Sequence, residues 1–295
     1  MSTFNARYCR PRYILEAIPV YLFFGLCRLL PLDWASGFGG RLARMIGPAM
    51  GVSRRAEYNL RRAMPELGAS ARKKIIRGMW DNLGRVAGEY PHLQGLLRHN
   101  RISRTGEEFI GALISQGQGG IVVSGHIGNW ETGPMVSAQL GAPLAVMYRA
   151  PNNPYVDWLI KKARQKSAPL TLPKGADGAI RLMRHLRNKG YAGILIDQKL
   201  NEGIDVSFFG IDARTTHAPA ELALRFGCPI VIARAVRTGG AHYHIEIVPV
   251  EIPNTGDRAA DSAALTRTMT SLLERWIREH PEQWLWLHNR WPKEA

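Results

Sequence analysis

Between residues 119 and 250, short apolar segments rich in β-branched residues alternate with segments of helical periodicity. Glycine or polar residues bound the apolar runs, which is typical of buried strands. The predicted strands cover residues 121–124, 144–148, 192–196, 230–235 and 244–250, and the predicted helices cover 156–166, 178–188, 219–226 and 263–279. This alternation indicates an α/β fold with a mostly parallel central sheet flanked by helices.

The N-terminal part of the chain has a different pattern. Residues 14–32 form an apolar run whose only charges, Glu16 and Arg28, lie near its ends. The run is close to the ~20 residues of a membrane-spanning helix, and no Ala-x-Ala-like cleavage site follows it. We expect an N-terminal hydrophobic, membrane-associating helix that spans the bilayer or lies in its interface, although Pro19 also fits a buried core helix. Residues 53–100 continue as helices, so we predict a membrane-anchoring segment over 1–50 and one α/β domain over 51–295.

The charge balance restricts the partners of the chain. There are 39 Lys and Arg residues against 24 Asp and Glu, a formal net charge of +15, which excludes an acidic, neutral-surfaced cytosolic enzyme. An excess of this size indicates a polyanionic partner. No helix-turn-helix, zinc-finger or aromatic–basic sheet pattern favours nucleic acid. The cysteines, Cys9, Cys27 and Cys228, are too scattered for a disulfide framework or a zinc site.

A candidate catalytic motif directly follows the first predicted strand. Residues 125–131 read Gly-His-Ile-Gly-Asn-Trp-Glu, and ligands of open α/β sheets bind at the carboxyl ends of strands. His126 and Glu131 are five residues apart, about 140° around a regular helix, so they can meet only where a loop joins a helix. A carboxylate on Nδ1–H would leave Nε2 free to accept a proton from a hydroxyl, and a helix N-terminus would disfavour the imidazolium. A purely structural histidine is the alternative.

The sequence lacks the motifs of two common kinds of catalysis, a serine nucleophile and a catalytic zinc ion. There is no Gly-x-Ser-x-Gly elbow, which argues against a covalent acyl-enzyme and favours direct attack by an acceptor hydroxyl. His126 and Glu131 do not form the His-Glu-x-x-His pattern of zinc hydrolases, so we expect no metal. Arg149, just past a predicted strand, could bind a phosphate or be an ordinary surface arginine. Asp197 ends an apolar strand, where a carboxylate needs a partner.

An ordered series of motifs resembles the lipid A biosynthesis late acyltransferases, the lauroyl and myristoyl transferases of the lysophospholipid acyltransferase superfamily. The resemblance covers nearly the whole chain. The motifs are His-x-x-x-x-Glu at 126–131, Asn-Leu-Arg-Arg-Ala-Met-Pro-Glu at 59–66, Tyr-Arg-Ala-Pro-Asn-Asn-Pro at 148–154, Arg164, Ile-Asp-Gln at 196–198, Phe-Phe-Gly at 208–210 and the aromatic tail at 281–291.

This resemblance implies an O-acyltransferase that needs no cofactor. Its donor would be acyl–acyl carrier protein, and its acceptor a hydroxyl of a phosphorylated lipid A precursor. His126 would be the base and Glu131 its orienter, while Arg164, Asp197 and Gln198 would shape the substrate site. The enzyme would lie at the bacterial inner membrane, with the domain over 51–295 facing the cytoplasm, and the basic charge would suit the anionic leaflet, carrier protein and phosphates.

Several alternatives stay open at this point. The acceptor could be another membrane glycolipid, such as a phosphatidylinositol mannoside, or a lysophospholipid, with acyl-CoA as donor. A non-catalytic basic membrane-binding protein is an alternative of another class. The tryptophans at 284, 286 and 291 fit core packing better than an interfacial belt, and we interpret His242, His244 and His288 as structural. Acyl-chain length, the acceptor position and the oligomeric state are not encoded in any of these patterns.

Overall fold

The apolar runs form the strands of one central sheet. The computed structural model describes residues 10–165 and 170–292. The strands in these ranges are β1 (Ile102–Thr105), β2 (Gly120–Ser124), β3 (Leu144–Tyr148), β4 (Leu170–Pro173), β5 (Tyr191–Leu195), β6 (Lys199–Phe208), β7 (Ile211–Thr215), β8 (Ile230–Gly239) and β9 (His242–Val250). Seven of them form a sheet in the order β1-β9-β8-β2-β5-β3-β4, in which only the β8–β9 pair is antiparallel. The predicted α/β class with a mostly parallel sheet is confirmed.

Helices occupy most of the remaining described chain. They are α1 (Pro11–Leu29), α2 (Leu32–Ile46), α3 (Ser53–Ala63), α4 (Ala69–Glu89), α5 (Leu93–Arg98), α6 (Glu107–Gln116), α7 (Thr132–Gln139), α8 (Pro154–Arg164), α9 (Ala176–Arg187), α10 (Ala218–Phe226) and α11 (Arg258–Glu279). Short 3₁₀ turns lie at Gly47–Ala49, Tyr90–His92 and Pro281–Gln283.

Strand β2 shows why the sheet is covered on both faces. Its side chains alternate between two apolar clusters: Ile121 and Val123 belong to one, and Val122 to the other. Successive side chains of a strand point to opposite faces, so each face needs its own apolar cover. Helices α4, α9, α10 and α11 contribute to the first cluster, and α6 and α7 to the second. This two-sided burial explains why β2 is apolar without interruption.

Four strands are absent from the prediction. The edge strands β1 and β4 have only four residues each and are partly exposed. Strands β6 and β7 form a separate antiparallel pair whose sequence is largely polar. Short or polar strands lack the apolar periodicity on which the prediction depends.

The N-terminal apolar run lies mostly in one helix and ends where a second helix begins. Helix α1 ends at Leu29 and α2 begins at Leu32, with Pro31 between them. Among the residues that the structure describes, no helix is both long and apolar enough to cross a membrane. Helix α2 packs closely on α4, where a Cβ added to Gly39 would lie 2.2 Å from the Gly84 carbonyl oxygen. Helix α2 is therefore fixed to α4.

Asn153 attaches α1 to the rest of the protein. Its side-chain nitrogen donates to the Tyr13 carbonyl at 2.8 Å, and its side-chain oxygen caps α8 by accepting from the backbone N–H groups of Tyr155 and Val156. Most of the apolar surface of α1 nevertheless faces outward: Leu22 is 69% exposed and Leu29 is 85% exposed.

The aromatic tail packs in the core, as predicted. The side chains of Trp284, Trp286 and Trp291 are buried against Phe208 and Phe209. Aromatic pairs at these separations add specific edge-to-face and stacked contacts to the apolar burial. The tail thereby joins the β6–β7 pair to the central sheet.

Candidate active site

The register of the sheet brings His126 and Asp197 together. Strands β2 and β5 are parallel neighbours, and Ser124 lies opposite Leu195. Two residues beyond each of these positions come His126 and Asp197, and the Ile196 N–H donates to the Ser124 carbonyl at 3.0 Å. The carboxyl ends of adjacent parallel strands thus place an imidazole beside a carboxylate.

Asp197 is buried and accepts hydrogen bonds from three donors. Its Oδ1 lies 2.8 Å from His126 Nδ1, while Oδ2 accepts from the His126 backbone N–H and from Trp284 Nε1, both at 2.8 Å. The carboxylate holds both the ring and the backbone of His126. With Nδ1–H donating to Asp197, the proton-accepting lone pair is on Nε2.

The two side chains shift each other's pKa. Burial disfavours the charged form of each group, but their mutual attraction and hydrogen bonds outweigh it. The pKa of His126 is therefore raised, and the pKa of Asp197 is held well below its usual range. The expectation that a helix N-terminus would disfavour the imidazolium is wrong, because the carboxylate dominates.

The structure places Glu131 on partners other than His126, although the resemblance implied that Glu131 would orient the histidine. Its Oε2 accepts from Arg164 Nε at 2.7 Å, its Oε1 pairs with the other arm of the same guanidinium, and Oε1 also accepts from Tyr90 Oη at 2.7 Å. Helix α7 begins only at Thr132. Residues 126–131 are therefore a loop, and its two ends point to different partners: His126 to Asp197 and Glu131 to α8.

Arg164 is an ion-pair partner in the structure. Its guanidinium lies over the Tyr148 ring, 4.8 Å from the centroid, in addition to its bonds with Glu131. Burial alone would lower the pKa of Arg164, but Glu131 and the neighbouring tyrosines raise it. The resemblance implied that Arg164 would shape the substrate site, and the structure pairs its guanidinium with Glu131. Arg149 is exposed just past β3.

The aromatic tail also fixes the backbone of the His126 loop. The N–H of Gly128 donates to the Gln283 carbonyl at 3.0 Å, and the N–H of Leu285 donates to the His126 carbonyl at 3.2 Å. Gly128 has φ +57°, and a Cβ built there would lie 1.7 Å from the Ala235 carbonyl oxygen. Only glycine fits this position without backbone movement.

A buried ion pair lies beneath the loop. Glu89 is fully buried and pairs with Arg237, and its Oε2 accepts from Asn129 Nδ2 at 2.9 Å. Asn129 Oδ1 accepts in turn from the Glu131 N–H at 3.2 Å. The Gly128 carbonyl is held by Asn82 Nδ2 at 2.9 Å. These contacts connect the loop to α4 and β8, and no spacing rule pointed to them.

Gln198 and His288 complete the surroundings of His126. Gln198 Nε2 lies 3.4 Å from His126 Nε2 and 3.0 Å from His288 Nε2. His288 was interpreted as structural, but its ring centroid is 5.4 Å from that of His126. The only sequence signal for it is its place in the tail motif. On the other side, the Trp130 ring meets His126 edge-on with centroids 5.1 Å apart.

A cavity of about 510 Å³ lies beside the Glu131–Arg164 pair. It is lined by Tyr148, Trp158, Lys161, Lys162, Arg164, Gln165 and Thr171. Its wall therefore combines aromatic rings with basic groups. Within residues 10–165 and 170–292, no group of three or more His, Cys, Asp and Glu side chains could hold a metal ion. Cys27 and Cys228 are buried and free, whereas Cys9 lies outside the described ranges.

Fold and site together define a class of protein. A carboxylate-paired histidine at the carboxyl edge of a parallel α/β sheet is typical of an enzyme that uses a general base. The sequence matches the profile of the family described as bacterial lipid A biosynthesis acyltransferase over residues 1–293. The chain belongs to this family and is an O-acyltransferase.

Individual relatives agree with this assignment. The chain is 27% identical to a lipid A biosynthesis lauroyltransferase of Escherichia coli K12, over 98% of this chain and 95% of the relative. It is 25% identical to a lipid A biosynthesis palmitoleoyltransferase of the same organism, over 97% and 94%. It is also 24% identical to a phosphatidylinositol mannoside acyltransferase of Mycobacterium tuberculosis, over 79% and 75%. The family resemblance is confirmed, which sets aside the non-catalytic alternative.

Proposed function

We propose that the protein transfers a fatty acyl chain from acyl–acyl carrier protein to a hydroxyl of a phosphorylated lipid A precursor, at the cytoplasmic face of the bacterial inner membrane. The observation that carries this proposal is the His126–Asp197 pair, whose Nδ1···Oδ1 distance is 2.8 Å. It provides a base whose tautomer is fixed and whose Nε2 is the accepting atom.

The reaction requires a single proton carrier. His126 Nε2 takes the proton of the acceptor hydroxyl as its oxygen attacks the thioester carbonyl carbon. The new C–O bond forms, the C–S bond breaks, and the imidazolium returns the proton to the leaving thiolate. Asp197 stays ionised throughout and stabilises the imidazolium, which is the role of the carboxylate in hydrolase triads. Glu131 does not touch the reacting atoms in this scheme; it acts indirectly, by holding the side chains of Arg164 and Tyr90 in place.

The basic groups near the site suit an anionic acceptor. Lys161 and Lys162 lie on the cavity wall with Tyr148 and Trp158. A phosphorylated, acylated glucosamine disaccharide offers both phosphates and apolar chains to such a surface. We assign Arg149, exposed beyond β3, to a phosphate of the acceptor. The net charge of +15 also favours an acidic carrier protein as donor.

The outer surface of α1 and α2 is proposed to contact the membrane. Leu22 and Leu29 on α1 and Trp34 on α2 are largely exposed. Arg41 and Arg44 follow on α2, where basic side chains favour anionic lipid headgroups. An exposed apolar surface with a basic flank is typical of membrane-binding proteins.

The test is a matrix of donors and acceptors with detergent-solubilised protein. Acyl–acyl carrier protein and acyl-CoA, each with chains of several lengths, are offered to tetra-acylated lipid A precursor, phosphatidylinositol mannoside and lysophospholipid. We expect a lipid A product from the carrier-protein donor, and its preferred chain length identifies the acyl specificity. No lipid A product with any donor would contradict the proposal.

A second candidate acceptor rests on the mycobacterial relative. That protein is named a phosphatidylinositol mannoside acyltransferase and matches 79% of this chain. An acylated mannoside as the main product would select this function, with the same base and a different pathway.

A further inference from the structure

The side-chain amide of Gln198 lies between two imidazoles. Its Nε2 is 3.0 Å from His288 Nε2 and 3.4 Å from His126 Nε2. An amide nitrogen carries two N–H donors, which suffice for both ring nitrogens. The arrangement requires an unprotonated Nε2 on each histidine. For His126 this agrees with its Nδ1–H bond to Asp197.

His288 is fixed from behind by α3. Buried Asn59 donates from Nδ2 to the Trp286 and His288 carbonyls at 2.8 and 2.7 Å, and Arg55 donates to the Leu287 carbonyl at 3.0 Å. These contacts hold the backbone on both sides of the imidazole. Helix α3 therefore positions His288 independently of Gln198, and His288 can serve as a fixed acceptor for the amide.

Burial and the surrounding charges keep His288 neutral. Burial lowers the pKa of His288 most, and the charges of His126 and Arg55 lower it further. Asp197 acts in the opposite direction, and the resulting pKa is about 4. His126 faces Asp197, Glu131 and Arg164, and its own pKa is raised. A neutral His288 accepts from Gln198 at any pH at which His126 works as a base.

The contact between Gln198 Nε2 and His126 Nε2 is long for a hydrogen bond. Its length of 3.4 Å exceeds the distance of about 3.0 Å that is usual for an N–H donor and its acceptor. A single oxygen can lie about 2.8 Å from both nitrogens, donating its proton to His126 and accepting from Gln198. We propose that His288 holds the Gln198 amide as a hydrogen-bond donor to the acceptor hydroxyl oxygen, at the point where His126 removes the proton. This inference rests on the proposed function.

In this arrangement the amide acts while charge develops. As the O–H bond breaks and the proton moves to His126 Nε2, negative charge grows on the acceptor oxygen. The Gln198 N–H bond to that oxygen strengthens as this charge grows, and it weakens again as the oxygen forms its bond to the acyl carbon and the charge passes to the carbonyl oxygen and then to the leaving thiolate. Gln198 and His288 are chemically unchanged. A donor aimed at developing charge in a buried site accelerates the step it faces.

The variants that test this are Gln198→Ala, His288→Ala, the double variant and Gln198→Glu, with His99→Ala as a control on the exposed end of α5. We expect each alanine variant to lower kcat by about 10- to 100-fold, somewhat less than the loss of a full oxyanion donor. The double variant should be no slower than the slower single variant, because the two residues act as one unit. His99→Ala should match the wild type.

The pH profile separates this role from a structural one. A carboxylate in Gln198→Glu faces His126 Nε2 and stabilises the imidazolium, so the acid limb of kcat/KM should move to higher pH. Wild-type kcat in both alanine variants, losses that multiply in the double variant, or an unmoved limb in Gln198→Glu would each overturn the inference. His126→Ala distinguishes the two levels: its retained activity refutes the proposed function, whereas its inactivity beside active Gln198 and His288 variants refutes only this inference.

Discussion

Replacing Asp197 by Asn removes the charge that stabilises the His126 imidazolium while keeping the volume of the side chain. The carboxylate and ring are in contact at 2.8 Å, which places their charge centres about 4 Å apart. At an effective dielectric constant of about 20, the attraction at this separation is about 4 kcal/mol. Each 1.4 kcal/mol corresponds to about a tenfold change in rate, so we expect kcat to fall by about 10³-fold.

The pH profile of kcat/KM provides a second readout of the same change. In the proposed mechanism His126 works as a base in its neutral form, and Asp197 raises its pKa. We therefore expect the activity of the wild type to fall as the pH drops through a limb above the ordinary histidine value of 6.5. Asp197→Asn lowers that pKa and should move the acid limb to lower pH. The measurement is initial acyl transfer across a pH series, with melting temperatures recorded for each variant.

The matched control is Asp205→Asn. Asp205 lies at the surface of the β6–β7 pair, where it forms an exposed ion pair with Arg214 at 3.3 Å. Exposed pairs contribute little, so this variant should keep wild-type activity and stability. A folded Asp197→Asn variant with a rate within about threefold of the wild type, and an unmoved acid limb, would refute the reasoning, since about 4 kcal/mol of stabilisation would then be absent.

Three further predictions concern the loop, the ion pair and the membrane surface. Gly128→Ala should destabilise the fold by about 2 kcal/mol or more in urea unfolding, because the positive φ and a carbonyl contact at this position exclude a Cβ. The control Gly133→Ala places its methyl group in open space on α7 and should keep the stability of the wild type. Equal stability of the two variants would contradict the geometry. Glu131→Ala leaves the mostly buried Arg164 without this carboxylate and should cost about 3 kcal/mol in the same assay; an unchanged unfolding midpoint would show that the pair contributes nothing. Leu22→Asp, on the exposed face of α1, should reduce flotation with anionic liposomes while leaving the melting temperature unchanged, and undiminished flotation would remove α1 from the membrane surface.

The sequence predicted the strands that are apolar along most of their length. β2 and β3 are apolar throughout or nearly so, and their predicted bounds differ from the observed ones by one residue at most. β1 and β6 were missed because β1 has no fully buried residue and β6 has only a few, and both carry many polar side chains. Apolar periodicity reports burial, and these strands bury only part of their surface.

The site shows a different limit. His126 was selected because it follows a buried strand, and Asp197 because a carboxylate at the end of an apolar strand needs a partner. The two residues are 71 positions apart along the chain, and the register of β2 against β5 brings them together. A pattern confined to one motif cannot reveal such a distant partner, so the sequence analysis named Glu131, from the same motif, as the carboxylate that orients His126.

The position of His288 beside His126 has the same physical origin. Its only mark in the sequence is its place in the tail motif, and its place beside His126 depends on the bonds of Asn59 to the tail backbone, over 200 positions away. Such contacts are made by tertiary packing. Local patterns identify candidate residues, while the register and the tail packing determine which of them meet.

The most direct test of the account compares acyl transfer by wild type, His126→Ala, Asp197→Asn and the double variant, using carrier-protein donor and lipid A precursor. If His126 and Asp197 form one catalytic unit, His126→Ala abolishes transfer and the double variant is no slower than His126→Ala alone. Substantial transfer by folded His126→Ala, or losses that multiply in the double variant, would contradict the assignment of the His126–Asp197 pair as the base.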